Sequence, residues 1–443
     1  MQISKNKKFQ YLFFTVLSIY IIFNGGNTNL FIQLNFIILS IFLFFCLKDK
    51  NYKLHLNYIF SKNKKSIMFY LIFITYLFFQ ILPLPIKILN HFSPEKYNYI
   101  IQLDTNILYS SLSFAPSETF FQILNFISIF IVILIVKIIF QTERHKQRLY
   151  LFLSLIGFVT SIIAIVFYLN GNPDMFFLKN SFYQDASTGF FVNRTVFSIF
   201  LLFCLISSLE ILKNIELSKL LINKDNFFLK IYVRLFLVFI TIGIITSFSR
   251  IGNFLLLSTV IFYLINEFFF IKKKNYSFLI IIILILFIDI LILGFYFGAF
   301  ELIDRFSFLK EEFSSNAENN NFVSRLDIIK FSFFELKNFI FYGYGLGSFE
   351  NIFQLKYHNP NNLYANHAHS DLLEIIGEIG LLGMFFLICS LFKFFSSKNY
   401  FNLNNNILLY YGLIILFFDF SLHIPLIQIM FIIFFLINKK FSQ

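Results

Sequence analysis

The side chains suited to chemistry sit at a few polar junctions of an otherwise apolar chain. The richest junction is Tyr364-Ala365-Asn366-His367-Ala368-His369-Ser370-Asp371, which runs straight into an apolar stretch carrying Glu374, Glu378, Gly380 and Gly383. Further upstream, Arg194 lies in Asn193-Arg194-Thr195 at the entry to an apolar run. Arg250 follows Ser249 in a tight turn between two runs, and Arg325 opens an amphipathic stretch. Arginine offers a planar, permanent charge that grips phosphate oxygens two at a time. Histidine is the side chain whose ordinary pKa lies near neutrality, as a general base requires. Two or three arginines and one imidazole at one membrane edge suit group transfer. Fixed cations in a poorly solvated site stabilise the charge that grows on a phosphate leaving group, while the imidazole takes a proton from the attacking hydroxyl.

Each of these residues also has a plainer reading. An arginine at a membrane boundary can snorkel or cap carbonyls. Gly343-Tyr344-Gly345-Leu346-Gly347 follows a helical pattern, not a strand, so it is no dinucleotide fingerprint. It reads as a loop with positive φ angles, with a backbone phosphate cradle as the other reading. His358, His367 and His369 have no helical i, i+4 pair and no partner cysteine, so no metal is expected. His367 is read as shaping the loop or contacting sugar. Glu374 and Glu378 fall on one helical face below His369. Either suits orienting the imidazole, pairing with a lysine or binding a helix end. Asp371 suits capping its own helix or touching His367.

These residues need helices to hold them. The chain has 443 residues, 58% hydrophobic and 14% charged, with mean hydropathy +0.75. Water-soluble chains run at roughly 45–50% apolar and about 25% charged. The apolar runs are continuous, which argues for helices and against a barrel. They fall at Tyr11–Phe23, Leu30–Leu47, Ile67–Leu89, Thr119–Phe140, Leu149–Leu169, Phe190–Leu212, Ile231–Phe248, Ile251–Ile271, Phe278–Ala299, Leu372–Phe395, Ile407–Leu422 and Ile424–Ile437. The first is read as a retained helix, and Pro83 and Pro85 are expected to kink or end the third.

The expected fold is therefore all-α: a polytopic membrane protein of about 12 transmembrane helices. It divides into residues 1–299, a loop subdomain over 300–370, and a final set over 371–443. In the loop, Glu311–Asn321 reads as polar connection and Ser324–Phe339 as an amphipathic helix capped by Ser324. Alternate connections are basic: the Met1–Lys8 leader, Lys48–Lys65, Glu143–Arg148, Lys213–Lys230, Lys272–Lys274, Lys398 and Lys439-Lys440. The bias of lysine and arginine to the cytoplasmic side then puts both termini in the cytoplasm and the long loop outside. The formal charge of +12 follows from those loops and does not call for nucleic acid. Cys46, Cys204 and Cys389 lie in apolar runs without disulfide or zinc spacing.

His369-Ser370, nine residues, Gly380, two residues and Gly383 resemble the signature of the O-antigen ligase family. Ser249-Arg250, the Arg325 helix and Gly343–Phe349 resemble further blocks of that family in order, and Asn193-Arg194 a weaker one. The likeness runs from about Phe190 to Gly383. It implies a bacterial inner-membrane glycosyltransferase that moves a glycan from an undecaprenyl-pyrophosphate carrier to an acceptor hydroxyl, a lipid A–core sugar, at the periplasmic face. It implies that His369 acts in transfer and that Arg250 and Arg325, with Arg194, engage the pyrophosphate. His367, Ser370, Glu378 and Gly345 would support them. No cofactor and no metal are implied. A repeat-unit polymerase or protein O-glycosylating enzyme is the neighbouring reading. A flippase or proton-coupled transporter, using carboxylates such as Asp289 and Asp419, is the reading from another class.

Overall fold

The computed structural model describes residues 2–103, 107–173, 185–217, 224–270, 276–291, 323–357, 364–395 and 403–437. The first half of the chain contributes α1 (Gln2–Ile22), α2 (Asn29–Leu47), α3 (Lys50–Lys62), α4 (Lys64–Ile81), α5 (Ile86–Phe92), α6 (Pro94–Gln102), α7 (Pro116–Ile139) and α8 (Glu143–Leu169). There follow α9 (Arg194–Leu217), α10 (Lys224–Thr246), α11 (Arg250–Ile265), α12 (Tyr276–Leu291), α13 (Arg325–Phe339), α14 (Phe349–Lys356), α15 (Asp371–Phe395), α16 (Leu403–Phe418) and α17 (Pro425–Ile437). The only strands among the described residues are the two-residue pair Leu84-Pro85 and Tyr109-Ser110.

Among the described residues, eight helices are long and apolar enough to cross a membrane, spanning Asn29–Leu47, Lys64–Ile81, Pro116–Ile139, Glu143–Leu169, Arg194–Ile215, Phe227–Thr246, Arg250–Phe270 and Asp371–Leu391. Asn405–Phe418 and Pro425–Ile437 are shorter apolar helices. The all-helical expectation holds, and among the described residues eight of the expected dozen spans meet this measure. The polar stretch Glu311–Asn321 and His358 lie outside the described residues. Arg325–Phe339 is a helix as expected, with the Ser324 hydroxyl accepting the Asp327 amide at 3.1 Å.

As expected, Pro83 and Pro85, which have no N–H to continue a helix, end the run Ile67–Leu89 early: α4 stops at Ile81 and the chain enters the short helices α5 and α6. One local expectation changes. The basic connection Lys48–Lys65 is mostly helix, since Asp49 caps α3 by accepting the Asn51 amide at 3.0 Å.

α9 is the axis of the bundle. Val196 to Leu205 are all buried, and α8, α10, α11 and α17 pack around the helix. An apolar stripe on every face suits a helix surrounded by other helices. α4 packs along α15, α2 along α7, and α13 across α15.

Candidate functional site

Three arginines open three helices. Arg194 starts α9, Arg250 starts α11 and Arg325 starts α13. Each follows a capping side chain: Asn193 accepts the Thr195 amide at 2.7 Å, Ser249 the Gly252 amide at 3.1 Å and Ser324 the Asp327 amide at 3.1 Å. A helix N-terminus carries positive partial charge, so a cation there is the opposite of what the dipole favours. Arginine plus helix N-terminus makes a place for an anion.

Packing brings these starts to one end of the bundle. Gly252 lies so close to Ser198 that an added Cβ would meet its hydroxyl at 2.2 Å, so the first turns of α9 and α11 touch. Gly25 sits against Ile424, Leu426 and Phe191, which places the turn between α16 and α17 beside the approach to Arg194. That turn also meets the start of α15: the Asp371 amide donates to the Asp419 carbonyl at 2.9 Å, and the Ser370 hydroxyl to the Leu416 carbonyl at 3.2 Å. Arg325 is close enough to Asp419 for its charge to act on that carboxyl. Arg194, Arg250, Arg325 and the His367–Asp371 turn thus share one end.

The turn itself is held by a chain of polar contacts. Glu374 accepts from His367 Nδ1 at 2.9 Å and from the Ala368 amide at 2.8 Å, and it lies within ion-pair distance of His423 Nε2, 3.3 Å away. His423 Nδ1 is bonded to Asp371, whose other oxygen accepts the Leu422 amide at 2.9 Å. His423 lies between helices, in the 419–424 turn. Burial works against its imidazolium, but the Glu374 and Asp371 carboxyls outweigh that and push its pKa up to about 10. His369 is the one left-handed residue of the turn, at φ 55, a conformation that L side chains adopt rarely and often at functional positions. Phe248, two residues before Arg250, is also left-handed at φ 48.

Below the turn, α15 carries a break at Gly380, with φ 65 and ψ 175. The Gly343–Gly347 loop docks there, and its three glycines all have positive φ. Its amides are used on the helix: Tyr344 donates to the Gly377 carbonyl and Gly345 to the Glu378 carbonyl, each at 3.0 Å. Phe349 donates to the Glu378 side chain at 3.3 Å, and the second carboxyl oxygen of Glu378 is buried without a partner. The glycine loop is thus a clamp on α15, which favours the first of its two readings. Gly345 also rests on Ser113. Ser113 in turn is anchored by buried Lys96, whose Nζ donates to the Ser111 and Ser113 carbonyls at 2.8 and 2.6 Å. Burial lowers the Lys96 pKa to about 8.

Of the residues read as functional, the structure joins His367, Ser370 and Glu374 to the His369 turn and keeps Glu378 with the glycine loop. Asp371 meets His423, not His367, because His423 reaches it from the 419–424 turn and satisfies its carboxyl. Sequence reading passed over His423 and Phe420. The only signal for them was the polar break at His423-Ile424-Pro425 next to Asp419. His367, Glu374 and His423 also offer three atoms within 4.8 Å of one another that could hold a metal ion. All three are engaged in the hydrogen bonds described above.

Many apolar helices thus collect cations and imidazoles at one end. Residues 235–388, about a third of the chain, match the model of the family described as O-antigen ligase. The match takes in Arg250, Arg325, the glycine clamp and the His369 turn, and leaves out Arg194 and His423. None of the curated proteins matches the chain.

Proposed function

We propose that this protein transfers a glycan from an undecaprenyl-pyrophosphate carrier to the hydroxyl of a lipid A–core sugar at the periplasmic face of the bacterial inner membrane. The observation that carries the reading is the placement of Arg194, Arg250 and Arg325 each at the first position of a helix, at the end that holds His369. The pyrophosphate gathers negative charge as the glycosidic bond breaks, and guanidinium groups at helix starts stabilise that charge where it forms. His369 takes the proton of the acceptor hydroxyl as that oxygen attacks the anomeric carbon. This reading gives both tasks to the cations and the imidazole, without a metal.

The test is reconstitution: purified protein, a polyprenyl-pyrophosphate-linked glycan and candidate acceptors, with and without a chelator. Transfer that survives chelation and is lost in His369→Ala, with folding and insertion intact, supports the reading. Normal transfer by His369→Ala removes the role given to that residue. Deletion separates the ligase from the polymerase reading, since loss of a ligase leaves long glycans on the carrier and loss of a polymerase leaves single repeats. A cysteine placed near His369 should react with impermeant reagent from the periplasmic side alone.

A further inference from the structure

We propose that His423, outside the stretch that matches the family model, is a positioning residue of the transfer reaction: clamped between Asp371 and Glu374, it holds the His367–Ser370 turn in the shape that presents His369. This rests on the reading of the site as a glycosyl-transfer centre.

Asp371 and Glu374 stand one helical turn apart at the start of α15, and both are buried. Two carboxyls on one helical face, three residues apart, repel each other unless something bridges them. His423 is that bridge, with Nδ1 on Asp371 and Nε2 on Glu374. Each carboxyl then passes the constraint on. Asp371 takes the Leu422 amide and so ties the 419–424 turn to α15. Glu374 takes His367 and the Ala368 amide, which fixes the backbone immediately before the left-handed His369. Without the bridge, Glu374 faces the Asp371 charge uncompensated, which weakens its hold on His367 and the Ala368 amide and with it the support for the unusual φ of His369. Removing one member of a buried charged network leaves the others uncompensated.

The test compares the full-length protein with His423→Gln and with Asp371→Asn/His423→Gln, reading kcat, the KM for a lipid-linked glycan donor, and thermal unfolding. In His423→Gln, kcat should fall by up to about 100-fold, the cost of misplacing a reacting group by about 1 Å, with KM within about twofold because the arginines are untouched. The double variant removes one of the two facing charges. It should regain unfolding temperature but keep the low kcat. Wild-type turnover in His423→Gln overturns the proposal. So does a double variant that recovers kcat together with stability, since His423 would then serve folding alone. If the single variant does not fold, the double variant carries the decision. His369→Asn in the same assay keeps the two questions apart. Wild-type turnover there would sink the glycosyl-transfer reading, whereas its loss beside a fully active His423→Gln would sink only the present proposal.

Discussion

Phe420 stands between His367 and His369: its ring stacks on the first with centroids 4.6 Å apart and meets the second edge-on at 5.4 Å. Both imidazoles are therefore kept from rotating by one aromatic wedge. Aromatic pairs of this kind contribute about 0.5–1.5 kcal/mol beyond area burial. Phe420→Ala should leave the bundle folded and lower transfer roughly tenfold, equivalent to about 1.4 kcal/mol of transition-state stabilisation. Phe420→Tyr, which keeps the ring, should stay near wild type. Steady-state transfer rates on the two variants check this, and equal rates would show that the wedge is idle.

The arginines can be told apart from ordinary boundary arginines by asking for the fork and not only the charge. Arg325→Lys keeps the charge and loses the planar pair of donors. If Arg250 and Arg325 grip phosphate, each Gln variant should lose about tenfold or more in kcat/KM for the lipid-linked donor, with Lys in between. A snorkelling arginine would show the reverse, with Lys equal to Arg. The measurement is donor titration at saturating acceptor.

Much of this architecture is legible in the chain because a membrane simplifies the problem. An apolar run either is or is not long enough to cross, and so most spans appear at their expected places. Pro83 and Pro85 announced a break, though not the two short helices that follow it. The arginines stood out because cations are scarce at that boundary. The pairing of Asp371 with His423 did not. The two residues are separated by a whole helical hairpin, and periodicity reports which face a side chain occupies, not which distant turn comes to meet it. Glu374 and Glu378 looked equivalent on one face. Packing separated them, giving one to the histidines and the other to the glycine loop.

The bridging imidazole makes stability depend on pH in a defined direction. The folded-state pKa of His423 is raised from 6.5 to about 10. Its stabilising contribution is therefore complete below about 6.5 and is lost as pH rises toward about 10. The groups facing it are Asp371 and Glu374, with Glu378 near enough to act on it and the His367 ring 5.3 Å away. Lys96 acts oppositely in the upper part of this window: its folded pKa is lowered from 10.5 to about 8, so it favours the folded state more as pH rises. The difference between wild type and His423→Gln isolates the first effect. That difference in unfolding temperature should shrink steadily from pH 6.5 to 10. A difference that stays constant would mean that His423 is not charged in the folded protein.

The glycine clamp yields the sharpest steric prediction. An added Cβ on Gly343, at φ +69, would meet the Glu378 carbonyl oxygen at 2.1 Å and the Gly380 amide nitrogen at 2.7 Å. Both are backbone atoms of α15 at its break, so neither can swing aside. Gly171 has a similar φ of +75 and nothing within 4 Å, which makes it the control for backbone conformation alone. Gly171→Ala should cost about 1–2 kcal/mol, the left-handed penalty of an L residue. Gly343→Ala should add overpacking to that and cost roughly 3 kcal/mol or more. Because the clamp holds α15 directly below Glu374, the Gly343 variant should also lose transfer activity in whatever fraction stays folded, while Gly171→Ala keeps it. Thermal unfolding and transfer rates on the two variants decide the matter. Equal stability losses would mean that the loop is not seated against the break in α15.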